Sequence, residues 1–107
     1  MRILDFVVSK QKLRTDPRCD FSGIASGTRG YLYARFRFSA DWKGCKRVAV
    51  FSCNGREEPV AIVNGMCEIP AAALVGKTVK VWVVGQKNDY RITTNDTSFE
   101  QATGVYK

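Results

Sequence analysis

The feature that most limits this chain is its run of short apolar segments of period two, punctuated by Asn-Gly turns. In Tyr31–Phe38 (YLYARFRF), Leu32, Ala34, Phe36 and Phe38 fall on one side. Tyr31, Tyr33, Arg35 and Arg37 fall on the other. Such alternation predicts a strand with one face in a core and one in water. Leu4, Phe6 and Val8 share a face of a strand over residues 2–8 in the same way. Arg47–Cys53 (RVAVFSC) is apolar on both faces, as in a central strand. Asn54-Gly55 and Asn64-Gly65 are strong hairpin signals because both turn positions need positive φ. Further strands are predicted at Val60–Val63, Met66–Ile69, Thr78–Val84, Tyr90–Thr94 and Thr97–Gln101. Pro70–Leu74 is suited to one helical turn, with Pro at a first helical position. No amphipathic helix of useful length is present. About eight short strands with frequent turn signals predict an all-β antiparallel sandwich, Ig-like or related. A chain of 107 residues has room for one such domain.

Residues 9–30 differ from the rest. They are polar, basic and rich in turn formers, with Asp16-Pro17, Ser22-Gly23 and Ser26-Gly27. No period persists through them, so they are read as an extended arm or long loop. The expected organisation is an N-terminal strand at 1–8, the arm at 9–30 and a sandwich core at 31–107. A loop of this length in a small domain usually has a role of its own.

Charge is distributed unevenly. Residues 1–47 hold 11 Lys or Arg against 4 Asp or Glu, while residues 48–107 hold 6 of each. The whole net charge of +7 therefore sits in the first half. A basic surface favours an acidic partner. The candidate partner-binding residues are Lys10, Lys12, Arg14 and Arg18 on the arm, and Tyr31, Tyr33, Arg35 and Arg37 on the outward strand face. Tyr and Arg are enriched at interaction hot spots. Interleaved aromatic and Arg side chains also suit base stacking, but the RNP1 pattern is not matched.

The chemistry-bearing residues point away from catalysis. The chain has no His, which removes the usual general base, metal ligand and Ser/His or Cys/His nucleophile systems. Cys19, Cys45, Cys53 and Cys67 contain no CxxC pair, so a zinc site is not expected. Cys45 stands beside Lys43, Lys46 and Arg47, neighbours that favour a thiolate, though a structural thiol is the plainer reading. The carboxylates are scattered over turns and strand ends. Ser22–Thr28 has two glycines but no GxxxxGK[ST], so it is read as a connector. No cofactor, metal site or catalytic residue is expected. Asp5 interrupts the apolar N-terminus, so a signal peptide is not indicated, and no segment has the length of a membrane span. On that basis the cysteines are expected as free thiols and the sequon Asn95-Asp96-Thr97 as a turn.

One resemblance is carried by Phe36–Gly44 (FRFSADWKG), Val48–Phe51 (VAVF), Ile69-Pro70, Val83–Gly85 (VVG) and Ile92–Thr94 (ITT). Over residues 30–101 these resemble small β-sandwich domains in virion proteins of tailed bacteriophages, such as the N-terminal domain of upper baseplate proteins. Residues 9–30 have no counterpart in that pattern. The resemblance implies a non-enzymatic structural component of the virion, in a capsid-decoration, tail, baseplate or fibre-anchoring role. Its partners would be other virion proteins, with a homo-oligomer or repeated copies in a symmetric assembly formed in the host bacterial cytoplasm. Two other classes compete. A nucleic-acid-binding β-barrel predicts affinity that falls steeply with salt. A carbohydrate-binding module predicts salt-insensitive binding through Trp42, Trp82 or Tyr90.

Overall fold

The computed structural model describes residues 1–103. Nine strands form two sheets that pack as a sandwich: β1 Arg2–Ser9, β2 Lys12–Thr15, β3 Leu32–Phe38, β4 Lys46–Cys53, β5 Arg56–Ile62, β6 Met66–Glu68, β7 Thr78–Lys87, β8 Tyr90–Thr93 and β9 Thr97–Glu100. The first sheet has the order β2-β1-β3-β6. The second has the order β5-β4-β7-β8, with β9 also paired to β7 beyond β8. All pairings between named strands are antiparallel except β1 with β3, which are parallel from Arg2↔Leu32 to Val8↔Phe38. Residues Ala71–Ala73 form a single 3-10 turn after Pro70, and Ala40–Trp42 form another.

The expected all-β sandwich is present, with nine strands rather than about eight. The additional strand is β2, inside the stretch read as an arm. It pairs with β1 through a turn at Lys10, whose φ is 55°. After β2 the chain does not leave the body. Residues 16–31 cross one end of the sandwich, where Ile24 is buried and Phe21 packs against the core. The Gly27 amide donates to the Leu74 carbonyl and the Ala102 amide to that of Ile24, both at 2.8 Å. Arg2 Nη2 holds the crossing from outside, donating to the carbonyls of Asp20 and Ser22 at 2.8 and 2.7 Å. These bonds satisfy backbone groups that a buried crossing would otherwise leave unpaired.

The core lies between the sheets. Leu4, Phe6 and Val8 of β1 and Leu32, Ala34 and Phe36 of β3 meet Ala49 and Phe51 of β4 and Val79, Val81 and Val83 of β7. The rings of Phe6 and Phe36 stack with centroids 5.1 Å apart, and Phe38 meets Trp42 at 5.2 Å. Trp42 fills the end opposite the crossing loop. It is fully buried, and its indole Nε1 donates to the Lys10 carbonyl at 2.8 Å. Arg47 closes that end by lying 4.2 Å over the Phe38 ring and donating to the Trp42 carbonyl at 2.7 Å. Gly85 makes the space for Trp42, because a Cβ there would lie 2.8 Å from the indole ring.

Asn95 joins the two sheets on the side where β2 meets the β8–β9 junction. Its side chain accepts from the Leu13 amide at 2.8 Å and donates to the Leu13 carbonyl at 3.1 Å. The Asn95 amide N–H donates to the Gln11 carbonyl at 3.2 Å. One amide side chain thus mimics a strand neighbour for the free edge of β2. The Asn95 side chain is committed to these bonds, its Nδ2 also donating to the Asp96 carbonyl at 2.8 Å, and residues 94–96 form an irregular link between β8 and β9 rather than the turn expected of the sequon.

Candidate functional site

The parallel pairing of β1 with β3 sets the composition of the first sheet's outer face. Register aligns Asp5 with Arg35, Val7 with Arg37 and Ile3 with Tyr33. On one side β2 adds Arg14 beside Val7 and Lys12 beside Ser9. On the other, β6 adds Met66 beside Arg35 and Glu68 beside Tyr33. Since side chains alternate across a strand, all of these share one face.

Charges on this face are paired where the backbone makes them neighbours. Arg35 Nε and Nη2 grip Asp5 at 2.6 and 3.2 Å, a forked contact of the kind guanidinium favours. Asp16, just beyond β2, receives Arg37 Nη2 at 3.6 Å and Arg18 Nη2 at 3.4 Å. It also accepts the Arg18 backbone amide at 3.0 Å across Pro17, as turn-forming Asp does. The Arg18 amide bond, then the Arg18 side chain, lowers the Asp16 pKa from its ordinary 3.8, with smaller help from the charge on Arg37. The side-chain hydrogen bond to Asp5 in turn raises the Arg35 pKa above its ordinary value. An open groove of about 590 Å³ runs between these residues, lined by Asp5, Asp16, Arg18, Arg35, Arg37 and Asn64.

The structure gathers Lys12, Arg14, Arg18, Tyr33, Arg35 and Arg37 of the expected partner-binding residues around this face. Tyr31 precedes β3 and is 50% exposed, while Tyr33 is half-buried. Lys10 stands apart, at the β1–β2 turn near Trp42, where its amide donates to Ser39 Oγ at 2.9 Å. Asp5, Asp16 and Asn64 were not among the expected residues. Their place depends on strand order, which local periodicity does not encode.

The four cysteines are free thiols. Cys67 faces the core, and burial pushes its thiol pKa up to about 12. Cys19 lies on the groove side, where its Sγ accepts the Asp5 amide at 3.3 Å. Among the described residues, no three His, Cys, Asp or Glu side chains gather as metal ligands. Of the aromatic residues considered for glycan stacking, Trp42 is wholly buried and has no face to offer. Trp82 is half-buried on the outside of the second sheet. Tyr90 is 46% exposed beside an open cleft of about 840 Å³ lined by Asp41, Lys43, Lys87 and Asp89. The Tyr90 hydroxyl donates to the Asp41 carbonyl at 3.1 Å.

The chain matches no protein-family model, no curated protein and no solved structure.

Proposed function

We propose that this chain is a non-enzymatic structural protein of a bacteriophage virion, which docks onto neighbouring virion proteins through the outer face of its first sheet. The supporting observation is that face itself. Five cationic side chains, Lys12, Arg14, Arg18, Arg35 and Arg37, outnumber three carboxylates, of which Asp5 and Asp16 are committed to ion pairs and Glu68 lies at the β6 edge. Rigid strands hold most of these groups, so little side-chain and backbone order has to be gained on contact. An acidic protein surface fits the residual positive charge, and Tyr33 with the Arg side chains supplies the amphipathic contacts typical of hot spots. The resemblance of residues 30–101 to phage sandwich domains points the same way. The role within the particle would be capsid decoration, or a tail, baseplate or fibre-anchoring part, in repeated copies.

The test is incorporation. Particles banded on a density gradient from the source culture are expected to contain the chain in many copies by mass spectrometry. The double variant Arg35→Glu/Arg37→Glu is expected to lower its incorporation about tenfold, the cost of losing a few contacts at a charged rim. A chain missing from every particle fraction overturns the reading. Salt-sensitive DNA binding by the wild-type monomer, lost in the same variant, would favour the nucleic-acid-binding class instead.

A further inference from the structure

The cleft beside Tyr90 lies between the 3-10 turn at Ala40–Trp42 and the β7–β8 hairpin, and it shares no lining residue with the basic groove. Its volume of about 840 Å³ falls in the range of small-molecule sites, roughly 300–1,000 Å³. Both walls are hydrogen-bonded turns. On one side the Trp42 amide donates to the Ser39 carbonyl at 3.1 Å and the Lys43 amide to that of Ala40 at 3.0 Å. On the other, Gln86 Nε2 donates to the Asn88 carbonyl at 3.0 Å, and Asn88 turns the chain at a φ of 53°. The Tyr90 hydroxyl bonds across to the Asp41 carbonyl and so fixes a ring that stays 46% exposed. The Lys87 stem lies against Gly44, where a Cβ would sit 3.4 Å from its Cδ. Ring and stem are placed before any ligand arrives, so little order has to be gained on binding.

The polar groups of this cleft are of both signs. Asp41 and Asp89 bring carboxylates, Lys43 and Lys87 bring ammonium groups, and Asn88 brings an amide. Among the described residues none of the four charged groups forms an ion pair. The two signs balance, so the cleft favours neither a cation nor an anion. A carboxylate only accepts hydrogen bonds and an ammonium only donates them, whereas a hydroxyl does both. A ligand dense in hydroxyls therefore satisfies both signs at once through charge-assisted bonds. The C–H face of a sugar ring is apolar and matches the half-exposed Tyr90 ring. Phosphate groups would meet Asp41 and Asp89, which disfavours nucleic acid. A wholly apolar ligand would take water from four charges and give no hydrogen bond in return.

We infer that this cleft binds an uncharged glycan, with a pyranose ring lying on Tyr90 and its hydroxyls shared between the Asp41 and Asp89 carboxylates and the Lys43 and Lys87 ammonium groups. The inference concerns a site apart from the basic groove and does not rest on the virion reading.

A printed glycan array tests it on the full chain, with uncharged hexose, deoxyhexose and N-acetylhexosamine oligosaccharides beside sialylated and sulfated ones. Isothermal titration with the best-bound uncharged oligosaccharide follows. The wild type is expected to bind uncharged members, with a Kd that changes less than about twofold between about 50 and 200 mM salt, a range over which phosphate-dependent binding collapses. Tyr90→Ala is expected to raise the Kd about tenfold, and Asp89→Ala about fivefold. Tyr90→Phe keeps the ring and is expected to stay within about threefold of the wild type. Asp89 is exposed in a turn, so its variant reads the cleft even where Tyr90→Ala disturbs β8. An array on which no uncharged glycan binds overturns the inference. So does binding confined to the charged members, or a Kd that neither Tyr90→Ala nor Asp89→Ala shifts.

Discussion

Asn95 and Asp16 carry more of the structure than their side chains suggest. Asn95 substitutes for a strand along the edge of β2, and its loss leaves the Leu13 amide and carbonyl without those partners. Asn95→Ala is therefore expected to cost about 1–3 kcal/mol in urea denaturation, the range for unpairing a part-buried polar group. Asp16 works through its charge. Its folded pKa is lowered, so its ionised form favours the native state above the unfolded value of 3.8. That stability is lost as pH falls from about 4 through the depressed folded value. Denaturation midpoints are expected to drop on acidification below pH 4, and Asp16→Asn is expected to flatten the drop. A variant with the wild-type acid profile would show that the Asp16 ion pairs do not contribute. Cys67 adds a chemical signature. With its thiol pushed up to about 12 and buried, it is expected to resist iodoacetamide at pH 8 in the native chain and to react in denaturant.

At the scale of elements, the backbone geometry explains which strands were readable. The hairpin turns at Asn54-Gly55 and Asn64-Gly65 have positive φ at both residues, as their composition demands. The strands β3, β4, β6, β7, β8 and β9 alternate or run apolar in the expected places, whereas β5 begins at Arg56 rather than Val60, its charged first half Arg56–Glu58 carrying no apolar signal. The strand β2 escaped because Leu13 is its only large apolar residue and because its turn uses Lys10 in a left-handed conformation no Lys signals. Tertiary context fixes it: Leu13 is buried, and Asn95 holds its edge. Lys10→Asn is expected to raise stability by about 0.5 kcal/mol, because Asn tolerates that φ better. Gly85→Ala is expected to cost about 1–3 kcal/mol by forcing a methyl into the Trp42 ring. The candidate site was half legible for a related reason. Period two places Tyr33, Arg35 and Arg37 on one face, whereas their pairing with Asp5 and Asp16 follows from a parallel β1–β3 neighbourhood.

At the scale of the whole molecule, the uneven charge of the sequence becomes an uneven surface. Residues 1–47 supply all of β1, β2 and β3, so the first sheet's outer face takes much of the excess cation. The second sheet turns a mostly apolar strip outward. The molecule therefore has two chemically distinct sides, one rich in cations and one mostly apolar. Retention on heparin is expected to depend on side as well as on net charge. Arg35→Glu/Arg37→Glu is expected to elute at clearly lower salt than Lys77→Glu/Lys80→Glu, although both change the net charge equally. Equal elution would show that the surface behaves as a diffuse cation.

The Asn95 contact with Leu13 also bears on the order in which the chain finds its shape. It joins residues 82 apart in sequence. Strands β4, β5, β7, β8 and β9 lie within residues 46–100 and pair largely with near neighbours in the chain. Contacts between distant segments form late because their loop entropy must be met first. The second sheet is then the expected nucleus, and closure of β2 onto the β8–β9 junction the last event. In stopped-flow chevrons, Asn95→Ala should speed unfolding and leave the folding limb almost untouched, whereas Val81→Ala should slow folding.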